Sequence, residues 1–193
     1  MTAPDPANAA PEAAVDTAPE NPTETRVRAA LDGLEVSFGA AQDAIVCVEF
    51  ERELLHTVME RLRDSAGFET LTFVTCVDHL ASTATEPRFE VVHQLISLAH
   101  GDRVRTRVRL TSDDATLASI TDLWPGAGFM EREAYDMFGV RFEGHPNLKR
   151  LLMPEGYGHH PLRKDFPQQG IEPDRLYREW DRERRKDWNP KES

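Results

Sequence analysis

The chain has 193 residues, of which 39% are hydrophobic, and a formal net charge of −11 at pH 7. This length is enough for one domain with a hydrophobic core plus extensions, and the acidic balance argues against a surface for nucleic acid or anionic lipid. No apolar run reaches the about 18 residues of a membrane span. The N-terminus has neither the basic start of a secretory signal nor the composition of a mitochondrial transit peptide, which favours a bacterial protein that stays in the cytoplasm.

The first 25 residues contain seven alanines and five prolines with scattered acids and little to bury. Such a segment cannot offset the entropy lost on ordering. We therefore predict a disordered Ala/Pro-rich tail at residues 1–25.

Residues 26–145 show the patterns of a globular domain. The predicted elements, in chain order, are a helix at 27–34, a strand at 44–50, a helix at 51–64, a strand at 71–77, a hairpin of strands 89–98 and 104–110, a helix that follows the 112–114 N-cap and runs through Leu117, Ile120 and Leu123, and a helix at 130–138. This order does not repeat a βαβ unit, so we predict an α+β fold in which helices pack on a mainly antiparallel sheet.

The second strand of the hairpin alternates apolar residues with Arg103, Arg105, Arg107 and Arg109. These arginines indicate either a solvated sheet face or a docking face for an acidic neighbour. In both cases acids must lie nearby, in this chain or the next, because like charges in register repel.

The two cysteines, Cys47 and Cys76, are far apart and lie in apolar runs. We expect buried free thiols in a reducing compartment. Cys76 and His79 resemble half of a zinc site, but the sequence offers no second pair of ligands.

After Gly144 the pattern changes, with six prolines in residues 146–193 and a helical pattern only at 174–188. We predict an extended arm at 146–193, and expect a chain cut after about Gly144 to keep a folded body. The large apolar side chains of the arm need another surface, which we expect a partner protein to supply. They are Leu148, Leu151, Leu152, Met153, Tyr157, Leu162 and Phe166.

Three runs carry a resemblance to a known family: EREAYDMFG at 131–139, HPNLKRLL at 145–152 and HPLRKDFP at 160–167. Together they resemble the signature of the thirty-kilodalton subunit family of complex I, whose members form the subunit lettered C in respiratory NADH:quinone oxidoreductase. The resemblance is looser over 26–123. Two departures are Phe129 in place of an expected Trp and Asn147 in place of an expected Asp.

The resemblance implies a non-catalytic structural and assembly subunit in the peripheral arm of a bacterial complex, on the cytoplasmic side of the inner membrane. It implies no cofactor or metal in this chain, with FMN, iron–sulfur clusters and quinone in other subunits. The implied partners are the large quinone-site subunit, lettered D, and its peripheral-arm neighbours, lettered B and I. Related membrane-bound hydrogenases and ferredoxin-driven complexes use similar chains and stay open as alternatives. The signature residues predicted to form the interface are Glu131, Arg132, Glu133, Asp136, Phe138, His145, Leu148, Arg150, Leu152, His160, Pro161, Leu162, Arg163, Lys164, Asp165 and Phe166.

Two catalytic interpretations compete with this one. Glu131, Glu133 and Asp136 could be paired carboxylates for acid–base chemistry, although 131 and 133 lie on different sides of a helix. His145, His159 and His160 with Glu155 could hold the metal of a hydrolase, but the intervening Gly and Pro leave their geometry undefined. The sequence contains no GxGxxG, Gly-rich phosphate loop, CxxC or GxSxG motif.

Overall fold

The computed structural model describes residues 21–40, 43, 45–80, 87–171, 179, 181–183 and 186. The predicted tail therefore lies outside the described residues up to position 20. Of the predicted helix at 174–188, only 179, 181–183 and 186 are described, and 179 and 181–183 are helical.

The described elements combine three α-helices with seven strands. They are α1 (Pro22–Ala30), β1 (Val36–Ala40), β2 (Val46–Phe50), a 3-10 turn (Arg52–Leu54), α2 (Leu55–Asp64), β3 (Thr70–Asp78), β4 (Phe89–Ser97), β5 (Asp102–Leu110), β6 (Thr116–Ala118), α3 (Ala127–Phe138) and β7 (Arg141–Glu143).

The main sheet has the strand order β1-β2-β5-β4-β3, and β6 and β7 form a separate parallel pair. Within the main sheet every neighbouring pair is antiparallel except β2 with β5. The predicted α+β fold with a mainly antiparallel sheet is confirmed. The predicted strands at β2 to β5 and the helix α2 are also present, whereas β1, β6 and β7 were missed.

One face of the main sheet forms the core with α2, whose apolar stripe is fully buried. The stripe consists of Leu55, Val58, Met59 and Leu62. The opposite face carries the arginines of β5. Arg105 donates to Asp43 at 2.8 Å and to Gln94 at 3.0 Å, and Arg107 lies 3.6 Å from both Glu49 and Glu90. This chain itself therefore supplies acidic side chains close to the arginines of β5.

The two edges of the main sheet differ. β3 is one edge, and α3 lies against it so that the Val74 N–H donates to the Met130 sulfur at 3.2 Å. The helix covers backbone groups that an open edge would expose to other chains. The arm contacts both the C-terminal end of α3, through Asp136, and the end of β3, through Asp78.

The predicted tail boundary at residue 25 is wrong, because α1 begins at Pro22. The Asn21 side chain caps the helix by accepting from the Thr23 N–H at 3.1 Å, and Pro22 suits the first turn, where its missing N–H costs nothing. Asp102 then holds the helix to β5 through Thr23 at 2.7 Å and Arg26 at 2.7 Å.

The helix predicted after the 112–114 cap is also wrong. Residues 116–118 form β6, in which Leu117 pairs with Phe142 of β7, and a turn follows at 120–124. Leu117, Ile120 and Trp124 are all buried. A short strand followed by a turn buries the same positions as a helix would, so the apolar spacing could not distinguish them.

Candidate functional site: the anchored arm

The described part of the arm, residues 146–171, contains no helix or strand. It lies along the C-terminal end of α3 and the end of β3. Its position is fixed by two buried carboxylates, by the last carbonyl groups of α3 and by an arginine of α3.

Asp136 is the first of these carboxylates, and its side chain is completely buried. Oδ2 accepts from the N–H groups of Leu151 at 3.0 Å, Leu152 at 2.7 Å and Met153 at 2.8 Å. Oδ1 accepts from Arg150 at 2.6 Å. Burial opposes the charge, but the bonds from these backbone N–H groups and from Arg150 outweigh it and hold the pKa of Asp136 below its usual value.

This arrangement changes the expectation that a body cut after Gly144 folds by itself. The arm supplies all four donors to Asp136, so its removal takes away the partners that hold the last turn of α3. Loss of hydrogen bonds to a charged group is destabilising.

The last carbonyl groups of α3, at residues 136–138, have no partners within the helix. They accept instead from the arm: His160 Nδ1 donates at 2.9 Å, the Leu162 N–H at 3.1 Å and Arg163 Nε at 2.6 Å. A carbonyl can only accept, so Nδ1 carries the proton of the His160 ring. The arm therefore completes the helix that it packs against.

Asp78, at the end of β3, is the second buried carboxylate. Arg88 donates to both of its oxygens, at 2.9 Å and 2.7 Å, while the N–H groups of Leu80 and Lys164 add bonds at 3.0 Å and 2.8 Å. Burial opposes ionisation, but these donors prevail and lower the pKa of Asp78 to about 2. Arg88 also binds Asp165 at 2.9 Å, which makes it a second link to the arm.

Arg132 and Gly139 fit α3 to the arm. Arg132 donates to the carbonyls of Lys149 and Arg150, each at 3.0 Å. Gly139 ends α3 with a positive φ of 82°, and a Cβ there would lie 2.7 Å from His160 Nε2. Glycine is therefore required both for the backbone conformation and for the close approach of the arm.

Glu131 accepts hydrogen bonds from residues of the body, not from the arm. It is completely buried, and it accepts from Ser119 Oγ at 2.7 Å and from the Ile120 N–H at 2.9 Å. Burial raises its pKa. Glu131 and Asp136 are enclosed by different partners, while Glu133 is exposed, so the structure does not assemble them as paired catalytic carboxylates.

The structure also argues against the alternative of a metal cluster. His145 Nε2 bonds to the Gly128 carbonyl at 3.0 Å, and Nδ1 accepts from the Asn147 N–H at 2.9 Å, which leaves no lone pair for a metal. Within the ranges that the structure describes, no group of three or more His, Cys, Asp or Glu side chains could hold an ion.

The apolar side chains of the arm divide into two groups. Leu148 and Met153 pack against the core, and His159 contacts the rings of Tyr157 and Phe166 with centroids 5.4 Å and 6.4 Å apart. The expectation that all of them need a foreign surface is wrong for Leu148 and Met153, because the polar anchors draw this part of the arm onto the body.

The other group faces solvent. Leu152 is 63% exposed, Leu162 is 50% exposed and Leu151 is 37% exposed, although their backbone N–H groups bind the body. The arm therefore presents three apolar side chains to solvent, which we call the leucine face: Leu151, Leu152 and Leu162.

The predicted interface residues do not all reach the surface. Glu131, Asp136 and Phe138 are buried within this chain, and the interface role of the signature residues stays a prediction. Those classed as exposed are Glu133, Leu152, Leu162, Lys164 and Asp165. Those with intermediate exposure are Arg132, His145, Leu148, Arg150, His160, Pro161, Arg163 and Phe166. Sequence reasoning missed Asp78, Arg88 and Ser119.

The sequence matches the family described as respiratory-chain NADH dehydrogenase, 30 Kd subunit, over residues 48–172. The chain belongs to this family. The match includes the arm up to residue 172 as well as most of the body, so both parts of the anchored site lie within the 30 Kd subunit homology.

Named relatives agree with this family membership. The chain is 47% identical over 130 residues to the NADH-quinone oxidoreductase subunit lettered C of Citrifermentans bemidjiense, covering 67% of this chain and 78% of the relative. It is 38% identical over 143 residues to the protein of the same name from Francisella tularensis subsp. holarctica, covering 60% and 66%.

Solved structures show the same fold. A trypsin-resistant fragment (1-134) of Nqo5 is 33% identical with a TM-score of 0.59, covering 65% of this chain and 99% of the fragment. A chain of the membrane-bound sulfane sulfur reductase, an archaeal respiratory membrane complex, is 24% identical with a TM-score of 0.64, covering 75% and 85%; this second likeness concerns the fold alone. None of the helices in the described part of the chain has the length and hydrophobicity needed to cross a bilayer.

Replacement of Asp136 by Asn tests the first anchor. The amide keeps the shape but removes the charge that faces Arg150 and turns one acceptor into a donor. We expect the free energy of unfolding to fall by about 2–4 kcal/mol, as measured by urea denaturation. The control is Asp165→Asn, which alters a 52% exposed partner of Arg88 and should cost less than about 1 kcal/mol. Equal losses in the two variants would contradict the role of Asp136.

Gly139→Ala tests the close approach of the arm. Gly33→Ala is the matched control, since Gly33 has a similar φ of 77° but nothing within 4 Å of the added Cβ. Both variants should incur about 1–2 kcal/mol of backbone strain, and only Gly139→Ala should also make the bond after Arg163 or Lys164 more susceptible to trypsin. Equal susceptibility in the two variants would mean that the arm does not lie against Gly139.

Acidification should release the arm. The folded-state pKa of Asp78, about 2, lies below the about 3.9 of an unfolded Asp, so its bonds stabilise the fold fully above the unfolded value and are lost as pH falls toward 2. This difference corresponds to about 2–3 kcal/mol. We expect amide protection at Lys164 to decline between about pH 4 and pH 2 in exchange measurements, and to be already lost at neutral pH in Asp78→Asn. Protection of Lys164 that increases on acidification would contradict the assignment.

Proposed function

We propose that this chain is a non-catalytic structural and assembly subunit in the peripheral arm of a bacterial proton-translocating NADH:quinone oxidoreductase. It docks on the large quinone-site subunit, with the peripheral-arm subunits lettered B and I as neighbours, at the cytoplasmic side of the inner membrane. FMN, the iron–sulfur clusters and quinone belong to the other subunits. Membership of the 30 Kd subunit family supports this proposal.

The observation that carries the docking role is the leucine face. Leu151 and Leu152 donate their backbone N–H groups to Asp136, yet Leu152 remains 63% exposed. Burial of one such side chain stabilises a contact by about 1.5–3 kcal/mol. A segment whose backbone is fixed while its apolar side chains stay in water is suited to a second protein surface.

Anchoring also favours docking through entropy. A disordered segment that folds on binding must lose its conformational freedom at that moment. The arm is already held by Asp78 and Asp136, so the conformational entropy of this part of the arm is lost on folding and not on binding. The leucine face is therefore presented in a fixed arrangement, which strengthens binding without further contacts.

The charges beside the leucine face favour a partner with acidic groups. Lys149 and Lys164 are exposed, and the arm region 146–193 has eleven basic and nine acidic residues in a chain of net charge −11. Exposed charges of this kind guide association and select the partner more than they add affinity. The surface of the partner should therefore be apolar at its centre and acidic at its rim.

The polar signature residues support a structural rather than a catalytic role. Asp136 uses both oxygens to hold the arm, and Glu131 uses both to hold the turn before α3. A general acid or base must reach the proton that it transfers. These two carboxylates face only groups of their own chain.

Leu152→Asp tests the docking role. A charge on the leucine face should lower co-purification with a tagged quinone-site subunit by about tenfold or more, equivalent to about 1.4 kcal/mol, as quantified by mass spectrometry. The melting temperature of the isolated chain should be unchanged, because the side chain faces solvent. Leu98→Asp is the control, since Leu98 is 71% exposed in the turn between β4 and β5. Co-purification of both variants at the wild-type level would refute docking through the leucine face.

A further inference from the structure

The second edge of the main sheet, β1, differs from the first. Within the part of the chain that the structure describes, β1 pairs only with β2, and no helix or strand lies against its outer side in the way that α3 lies against β3. An edge strand in this state has a row of backbone donors and acceptors available to another chain.

The residues of β1 do little to block such pairing. The strand, Val36–Ala40, contains no charge and no proline, which are the usual means of protecting an edge. Ser37 and Gly39 are exposed, and Val36 and Phe38 are partly exposed. The Val36 N–H already donates to the Leu34 carbonyl at 3.0 Å, so pairing would begin after Val36.

A cleft opens at the beginning of β1. Its volume is about 690 Å³, and residues of the loop before β1, of β2 and of β5 line it. Leu34, Val36 and Leu54 supply apolar surface, while Arg107 and Arg109 add guanidinium groups. A chain that pairs with β1 and continues past Val36 would place its next side chains in this cleft, as pockets beside a sheet edge do when they select a bound strand.

Several acids beside the edge have no cationic partner among the residues that the structure describes. Residues 24–51 contain six acids, of which Asp43 and Glu49 lie against arginines of β5. Asp32, Glu35 and Glu51 are exposed, and within the described residues no ion pair neutralises them. A segment that binds here therefore gains from basic residues beside its pairing stretch.

We propose that β1 and its cleft receive an extended segment of a neighbouring subunit, which adds a sixth strand to the main sheet. The segment is uncharged where it pairs with β1 and carries Lys or Arg where it passes Glu35. This surface is separate from the leucine face, and the inference rests on the proposed function only in placing the chain within an assembly.

Hydrogen exchange in the assembled complex, compared with the isolated full-length chain, tests the proposal. Within residues 37–40, we expect the amides that point away from β2 to exchange at least about tenfold more slowly in the complex, the change expected for amides that acquire stable partners. Unchanged exchange on assembly would overturn the proposal. Slow exchange of these outward amides in the isolated chain would also overturn it, because a segment of this chain would then occupy the edge.

The Leu152→Asp experiment separates this proposal from the docking of the arm. Reduced co-purification of Leu152→Asp together with unchanged exchange of the outward β1 amides refutes the added strand alone. Wild-type co-purification of Leu152→Asp together with unchanged exchange of those amides refutes both.

Glu35→Lys examines the chemistry of the added segment. If the segment is basic, this variant should weaken the protection of 37–40 in the complex, and added salt should weaken that protection less than in the wild type. Asp113→Lys is the matched control, because Asp113 is also exposed and the charge change is identical. Equal protection of 37–40 in the two variants would overturn the basic character of the segment.

Discussion

The rest of the site depends on one buried carboxylate. Asp136 lies in the last turn of α3 and takes four donors from a stretch of the arm that has no secondary structure of its own. These bonds satisfy backbone N–H groups that would donate to backbone carbonyls in a helix or strand. Because all four donors come from the arm, Asp136 makes these bonds only while the arm is in place.

Asp78 repeats the arrangement at the far end of the arm, where it holds the Lys164 N–H. Between the two carboxylates, the unpaired carbonyls of α3 accept donors from the arm. The polar groups of the segment are thus satisfied on one side, and Leu152 and Leu162 project from the other. The hydrogen bonds on one side of the arm fix its backbone, and the apolar side chains on the other side stay exposed to solvent. The proposed docking role rests on these exposed side chains.

The sequence predicted the features that depend on regular spacing. The alternation on β5 and the apolar stripe of α2 identified the sheet and its covering helix, because periodicity reports burial directly. The residues 116–124 were misassigned as a helix because a short strand and a turn bury the same positions. The tail boundary was placed too late because Asn21 and Pro22, a cap and a helix start, stand within Ala/Pro-rich sequence.

The candidate site was only partly predictable. The signature runs identified Asp136, Arg150 and Arg163, but not that Asp136 is buried within the chain instead of at an interface. No spacing rule connects Asp78 to Lys164, which lie 86 positions apart in sequence, since that contact exists only after α3 has packed on β3.

Amide exchange of Leu151, Leu152 and Met153 in the isolated wild-type chain is the most direct measurement of whether the arm folds on its own body. The bonds to Asp136 predict protection that approaches that of the β4 amides, without any partner present. Exchange of these three amides at the rate of an unstructured peptide, while β4 remains protected, would show that the arm is not anchored by its own chain.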